Sequence, residues 1–121
     1  MLVGLRTVIY QVADVNAAKA WYSDILSSAP YFDEPFYVGF NVGGFELGLV
    51  PSGNAGLGGV SAYWGVADVA ATVETLLAKG ATVREGAHEV GGGIVVATVV
   101  DPFGNDLSVI FNPHFDLASV R

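Results

Sequence analysis

Hydrophobic and polar positions alternate with period two along residues 7–12, where Val8, Tyr10 and Val12 oppose Thr7, Ile9 and Gln11. Such alternation sends the two sets to opposite faces of a strand. Beyond it the period changes. Val15, Ala18, Trp21, Tyr22, Ile25 and Leu26 recur at helical spacing. Asp14 stands where a carboxylate can accept the free amide hydrogens of a first helical turn. Further on, Phe36 to Val42 and Phe45 to Val50 read as a hairpin bent at Gly43-Gly44, with a shorter strand near Ala29–Phe32 before it.

The same succession then begins again. Val12-Ala13-Asp14-Val15 recurs as Val66-Ala67-Asp68-Val69, an offset of 54. In Ser61 to Val66, Ala62, Trp64 and Val66 alternate with Ser61, Tyr63 and Gly65. Val69, Val73, Leu76 and Leu77 form a second helical stripe that opens at Asp68 and stops at Lys79-Gly80. A short strand near Ala81–Arg84 precedes a hairpin of Ile94 to Val100 and Asp106 to Phe111, bent at Asp101-Pro102-Phe103-Gly104-Asn105. Leu47 aligns with Leu107 at an offset of 60, so the second copy is longer by six residues, placed in a loop Glu85 to Gly93. The chain therefore reads as one α+β domain over 1–121. It holds two tandem βαβββ modules, about 5–50 and 60–111, joined by a linker at 51–59.

Each helix must bury its stripe on a sheet. The larger apolar sets are expected to meet the helices: Val8, Tyr10 and Val12; Phe45, Leu47 and Leu49; Ala62, Trp64 and Val66; Leu107, Val109 and Phe111. Trp21 and Trp64 are expected in the core. The opposite face carries Thr7, Gln11, Glu46, Gly48, Ser61, Tyr63, Gly65, Asp106 and Ser108. Such a mixture of polar, small and aromatic groups suits a curved mixed sheet around a ligand cleft.

The chain has 121 residues, of which 52% are hydrophobic and 14% charged, enough apolar material for a core. The formal charge of −7 argues against nucleic acid as a partner, because phosphate contacts need a basic surface. The absence of cysteine removes disulfides and thiolate metal ligands. No apolar run reaches the ~18 residues that cross a bilayer, and the first residues lack a signal-peptide core, so a cytoplasmic location and no membrane partner are expected. Gly91-Gly92-Gly93 lacks the Gly-Lys-Ser/Thr of a phosphate loop and reads as a hairpin bend.

The strand-Val-x-Asp pattern, then Ala17-Ala18-Lys19-Ala20-Trp21-Tyr22-Ser23-Asp24-Ile25-Leu26, then Asp101-Pro102-Phe103-Gly104-Asn105, resembles the vicinal oxygen chelate superfamily. That superfamily holds glyoxalase I, extradiol dioxygenases and bleomycin-resistance proteins. The resemblance spans about residues 5 to 113 and speaks to fold more than to any one activity. It implies a side-by-side homodimer. In the family's metalloenzymes it also implies one divalent-ion ligand from each of four strands. Those positions fall here on Thr7, Ser61, Ser108 and either Glu46 or Gly48. Neutral hydroxyls are poor donors for such an ion. His88 and His114 lie off these positions.

No metal, cofactor or catalytic residue is therefore assigned. A nucleophilic Ser61 or Ser108 would lack a His partner. The reading that results is a metal-free protein that binds a small organic molecule, of the bleomycin-resistance type. Its ligand-binding residues are Gln11, Tyr37, Glu46, Tyr63, Asp106 and Ser108. Glu46 and Asp106 would supply counter-charge to a cationic guest, and the aromatic and acidic stretch Tyr31–Tyr37 suits a flat or cationic one. Two alternatives stand beside it: a glyoxalase-like lyase, isomerase or dioxygenase with an altered metal site, and a structural or regulatory partner of another protein.

Overall fold

The computed structural model describes residues 1–53, 59–103 and 105–120, and the side chains of these except that of Ile25. The middle of the expected linker, Gly104 of the Asp-Pro bend and the Ile25 position of the first helical stripe thus lie outside the described residues. Eight strands and two helices make an α+β fold, in the order β1 (Gly4–Val12), α1 (Val15–Leu26), β2 (Phe32–Glu34), β3 (Tyr37–Val42), β4 (Phe45–Pro51), β5 (Val60–Gly65), α2 (Val69–Ala78), β6 (Thr82–Gly91), β7 (Ile94–Val100) and β8 (Asp106–Phe111). A short 3-10 turn, Leu117–Ser119, follows.

The repeat is expressed in the topology. The strands of one module run β2-β3-β4-β1 and those of the other β6-β7-β8-β5. In each, the opening strand pairs parallel with the last (β1 with β4, β5 with β8), and the other neighbours are antiparallel. The chain forms two compact units. The first-module unit is Thr7–Ser61 with Asp116–Arg121, and the second-module unit is Met1–Arg6 with Ala62–Phe115. Each module thus clusters with the terminal segment from the other end of the chain.

Both helices begin at the repeated aspartate. Asp14 accepts the amide of Ala17 and Asp68 that of Ala71, each at 3.0 Å, and both cap residues are extended. In the first-module unit the helix-side core joins Val38, Phe40 and Leu49 to Tyr10, Val12, Leu47, Val15, Ala18, Tyr22 and Leu26. In the second-module unit Val66, Val69, Val73, Leu76, Ala97, Val99 and Val109 are buried together, with Leu107 against them. The alternation in β1, β4 and β8 therefore has the expected sense. Burying one such side chain fully stabilises by about 1.5–3 kcal/mol.

Several expectations are corrected. β2 lies at Phe32–Glu34 rather than Ala29–Phe32. Pro30 has no amide hydrogen for a ladder, and pairing begins when the Tyr31 amide meets the Gly39 carbonyl at 3.0 Å. The expected loop Glu85–Gly93 is mostly strand, because β6 continues to Gly91 and shifts register against β7. Every residue of β6 is exposed, so no buried face leaves an apolar alternation to read. The bend at Gly92-Gly93 stands as expected, with φ of 63° and 79°. Trp21 is 59% exposed, set edge-on against Tyr22, so it is not a core residue. Phe45 and Phe111 sit at strand ends and are each 37% exposed, and Trp64 is only half-buried.

Candidate functional site

Opposite its helix, the first-module sheet carries one row of residues in register: Ile9 of β1, Gly48 of β4 and Gly39 of β3. Neither glycine has a side chain to project, and two tyrosine rings occupy the space. A Cβ on Gly48 would collide with the Tyr37 hydroxyl and lie 2.7 Å from Tyr37 Cζ. A Cβ on Gly39 would lie 3.1 Å from Tyr37 Cε1 and 3.3 Å from Tyr31 Cε1. The rings are thus seated where only glycine admits them. From this seat both phenols reach Glu46: Tyr31 Oη donates to Oε1 and Tyr37 Oη to Oε2. Phe32 continues the aromatic surface, with its ring edge-on to Phe36 at 6.1 Å and to Tyr37 at 6.0 Å.

The tyrosines carry the electrostatic mark of this arrangement. Desolvation first, then the hydrogen bond to Glu46 and its negative charge, push the Tyr31 hydroxyl well above the ordinary tyrosine range. Tyr31 as a whole is 63% exposed, so its ring is open to a guest although its hydroxyl is engaged. Gln11 lies further along β1, where its Oε1 accepts from Ser52 Oγ at 2.6 Å.

The corresponding row of the second-module sheet is Tyr63, Ser108 and Thr98. Here hydroxyls take the place of glycines. Ser108 Oγ and Thr98 Oγ1 share a buried hydrogen bond of 2.7 Å, and Ser108 also bonds the Tyr63 hydroxyl. Burial, then the charge of Glu85, raise the Tyr63 pKa, while the bond to Ser108 works against them. Asp106 accepts from Arg84 Nε at 2.6 Å in an exposed ion pair.

Of the six expected residues, the structure thus brings Tyr37 to Glu46 in one unit and Tyr63 to Ser108 in the other. Gln11 and Asp106 each have a different partner. Sequence reasoning did not single out Tyr31 or Thr98 as site residues. Tyr31 lay inside the aromatic and acidic stretch already noted. Thr98 left no signal, since a threonine among valines reads as strand.

The metal positions can now be tested against geometry. Thr7 pairs with Glu46 in the β1–β4 register, whereas the repeat carries Ser108 onto Gly48. Both carboxylate oxygens of Glu46 accept from tyrosine, and Ser108 Oγ is committed to Thr98 and Tyr63. Thr7, Ser61 and Ser108 offer only neutral hydroxyls. This donor set does not fit a divalent ion. Among the described residues no group of three or more His, Cys, Asp or Glu side chains could share one. Of the histidines, His88 Nδ1 contacts the Gly86 carbonyl at 2.8 Å and His114 Nε2 the Gly92 carbonyl at 2.7 Å.

Comparison with known proteins agrees with this architecture. Residues 4–109 match the family model described as Glyoxalase/Bleomycin resistance protein/Dioxygenase superfamily. No functionally curated protein matches the chain in sequence. Among solved structures, a variant of methylmalonyl-CoA epimerase from Streptomyces coelicolor, in complex with 2-nitronate-propionyl-CoA, superposes with a TM-score of 0.73 at 17% identity. That match covers 96% of this chain and 99% of the other. Methylmalonyl-CoA epimerase from Mycobacterium tuberculosis gives 0.70 at 20% identity, covering 93% and 90%. A hypothetical protein from Bacillus halodurans gives 0.75 at 12% identity, covering 91% and 94%. At such identities the likeness is one of fold.

Proposed function

The chain belongs to the glyoxalase/bleomycin resistance protein/dioxygenase superfamily, and within it we propose a metal-free protein that binds a cationic or aromatic small molecule against Glu46. The observation that carries this reading is the carboxylate held between the hydroxyls of Tyr31 and Tyr37, on a floor of two glycines. The two phenols fix the orientation of the carboxylate without neutralising it. A flat cation laid on the rings meets their negative faces and the full charge of Glu46 together. The net charge of −7 favours encounter with such a guest. A side-by-side homodimer in the cytoplasm, with no nucleic acid or membrane partner, is part of the same proposal.

Native mass spectrometry of freshly purified protein tests it first. The expected spectrum is a dimer without a stoichiometric divalent ion. The rival lyase, isomerase or dioxygenase reading requires that ion, and finding it would overturn the proposal. The second test titrates an N-methylacridinium salt and follows quenching of protein fluorescence. Glu46→Gln should weaken binding by ~10-fold, equivalent to about 1.4 kcal/mol, and remove most of its dependence on salt. Equal affinity in the two proteins at low salt would sink the assignment.

A further inference from the structure

Of the five Lys and Arg residues, Arg121 lies outside the described residues, and Arg6 and Lys79 have no carboxylate partner among them. Lys19 pairs with Asp33 at 3.1 Å and Arg84 with Asp106 at 2.6 Å. Arg6 has no carboxylate partner among the described residues; its one hydrogen bond runs from Nη1 to the Leu5 carbonyl at 3.1 Å. It is nevertheless held in place. Its Cζ lies 4.0 Å from the centroid of the Phe115 ring, within the second-module unit. Its side chain lies in the gap left by the absent side chain of Gly65. A Cβ there would sit 2.7 Å from Nε and 2.9 Å from Cζ. The guanidinium is thus oriented by an aromatic face and a glycine slot, not by an acid.

A guanidinium has five N–H donors in one plane, and here one end of it is used. Arg6 is only partly exposed, yet no buried side-chain nitrogen or oxygen among the described residues lacks a partner. Its unused Nε and Nη2 donors are therefore not sealed from solvent. These two nitrogens form the edge that binds an oxyanion through two parallel hydrogen bonds. Because the side chain is already ordered by Phe115 and Gly65, little rotamer entropy remains to be lost on binding.

We propose that Arg6 is an oxyanion-binding residue of this protein, taking the carboxylate or phosphate group of a small ligand on its Nε–Nη2 edge. It does not rest on the reading of Glu46.

The test uses the full chain and nitrogen-15 spectra of the arginine Nε–H groups. The Arg6 signal is identified by its loss in Arg6→Gln. Benzoate and inorganic phosphate are titrated separately at constant ionic strength. A saturable shift of the Arg6 signal, with the Arg84 signal unmoved, is the expected result. Saturation by benzoate alone assigns a carboxylate ligand, and by phosphate alone a phosphate-bearing one. Arg6→Lys keeps the charge but loses the planar fork. In that variant, saturable shifts of backbone amides next to position 6 should weaken by ~10-fold. This second variant serves if Arg6→Gln does not fold. No saturable shift with either probe, an equal shift with chloride, or full affinity in Arg6→Lys would each overturn the proposal.

Discussion

At the scale of single residues, the protein depends on where a charge is placed and what surrounds it. Each carboxylate oxygen of Glu46 accepts from one phenol, and the phenols are altered in return. Tyr31 gains its raised pKa from burial first and Glu46 second. The sign of the consequence is fixed. The folded chain holds the Tyr31 proton where the unfolded chain, with a tyrosine pKa of about 10, has lost it. The stability from this group is complete below that pH and declines as the pH rises through the folded value. An alkaline absorbance titration should therefore show a late-titrating tyrosine that disappears in Tyr31→Phe. In Glu46→Gln it should move to lower pH. A Tyr31 signal at the ordinary position in the wild type would refute the arrangement. Part of this was legible in the sequence. Glu46 and Tyr37 stood out by face and by neighbourhood. Their contact did not, because it depends on Gly39 and Gly48 lying side by side across β3 and β4. Which residues face each other across strands is a property of register, which no local pattern states.

Among elements, the two modules solve one problem in two ways. The row Ile9–Gly48–Gly39 is emptied to receive aromatic rings, while the row Tyr63–Ser108–Thr98 fills itself with hydroxyls. Ser108 and Thr98 are 2% and 8% exposed, and the bond to Ser108 is what satisfies the buried Thr98 hydroxyl. Ser108→Ala should then cost about 1–3 kcal/mol, because the Thr98 hydroxyl is left without its partner. Ser108→Ala combined with Thr98→Val should recover the part of that loss due to Thr98, whose hydroxyl is then no longer stranded. Urea unfolding of the two variants decides it, and a double variant less stable than Ser108→Ala would contradict the pairing. Elements with a buried face were read from the sequence nearly to their ends, except that β1 begins at Gly4 and not at Thr7. The repeated aspartate caps start both helices where expected, and β3, β4, β7 and β8 agree within a residue. β6 escaped for the opposite reason. It is exposed along its whole length and carries Arg84, Glu85, His88 and Glu89, so its conformation comes from hydrogen bonding to β7 rather than from any pattern of its own.

The molecule as a whole departs from a plain tandem repeat at its two ends. Residues 116–121 cluster with the first-module unit although they follow the second module in the chain. Their backbone lies directly on the β3–β4 bend. A Cβ on Gly44 would sit 2.7 Å from Val120 Cα and 2.8 Å from the Ser119 carbonyl oxygen. These are backbone atoms, which cannot turn aside as a flexible side chain would. Gly44 also has φ of 96°, so alanine is strained there even without the tail. The two costs can be separated. Gly44→Ala in the full chain should carry both the backbone strain and the clash, the latter worth about 1–3 kcal/mol. In a chain ending at Phe115 the same substitution should carry the strain alone. Thermal or urea unfolding of the four proteins forms a double-mutant cycle, and its coupling term reports the contact between tail and bend. A coupling near zero would mean that the tail does not lie on Gly44. A clear coupling would make the final residues part of the first-module fold, with the modules exchanging terminal segments rather than standing as successive copies.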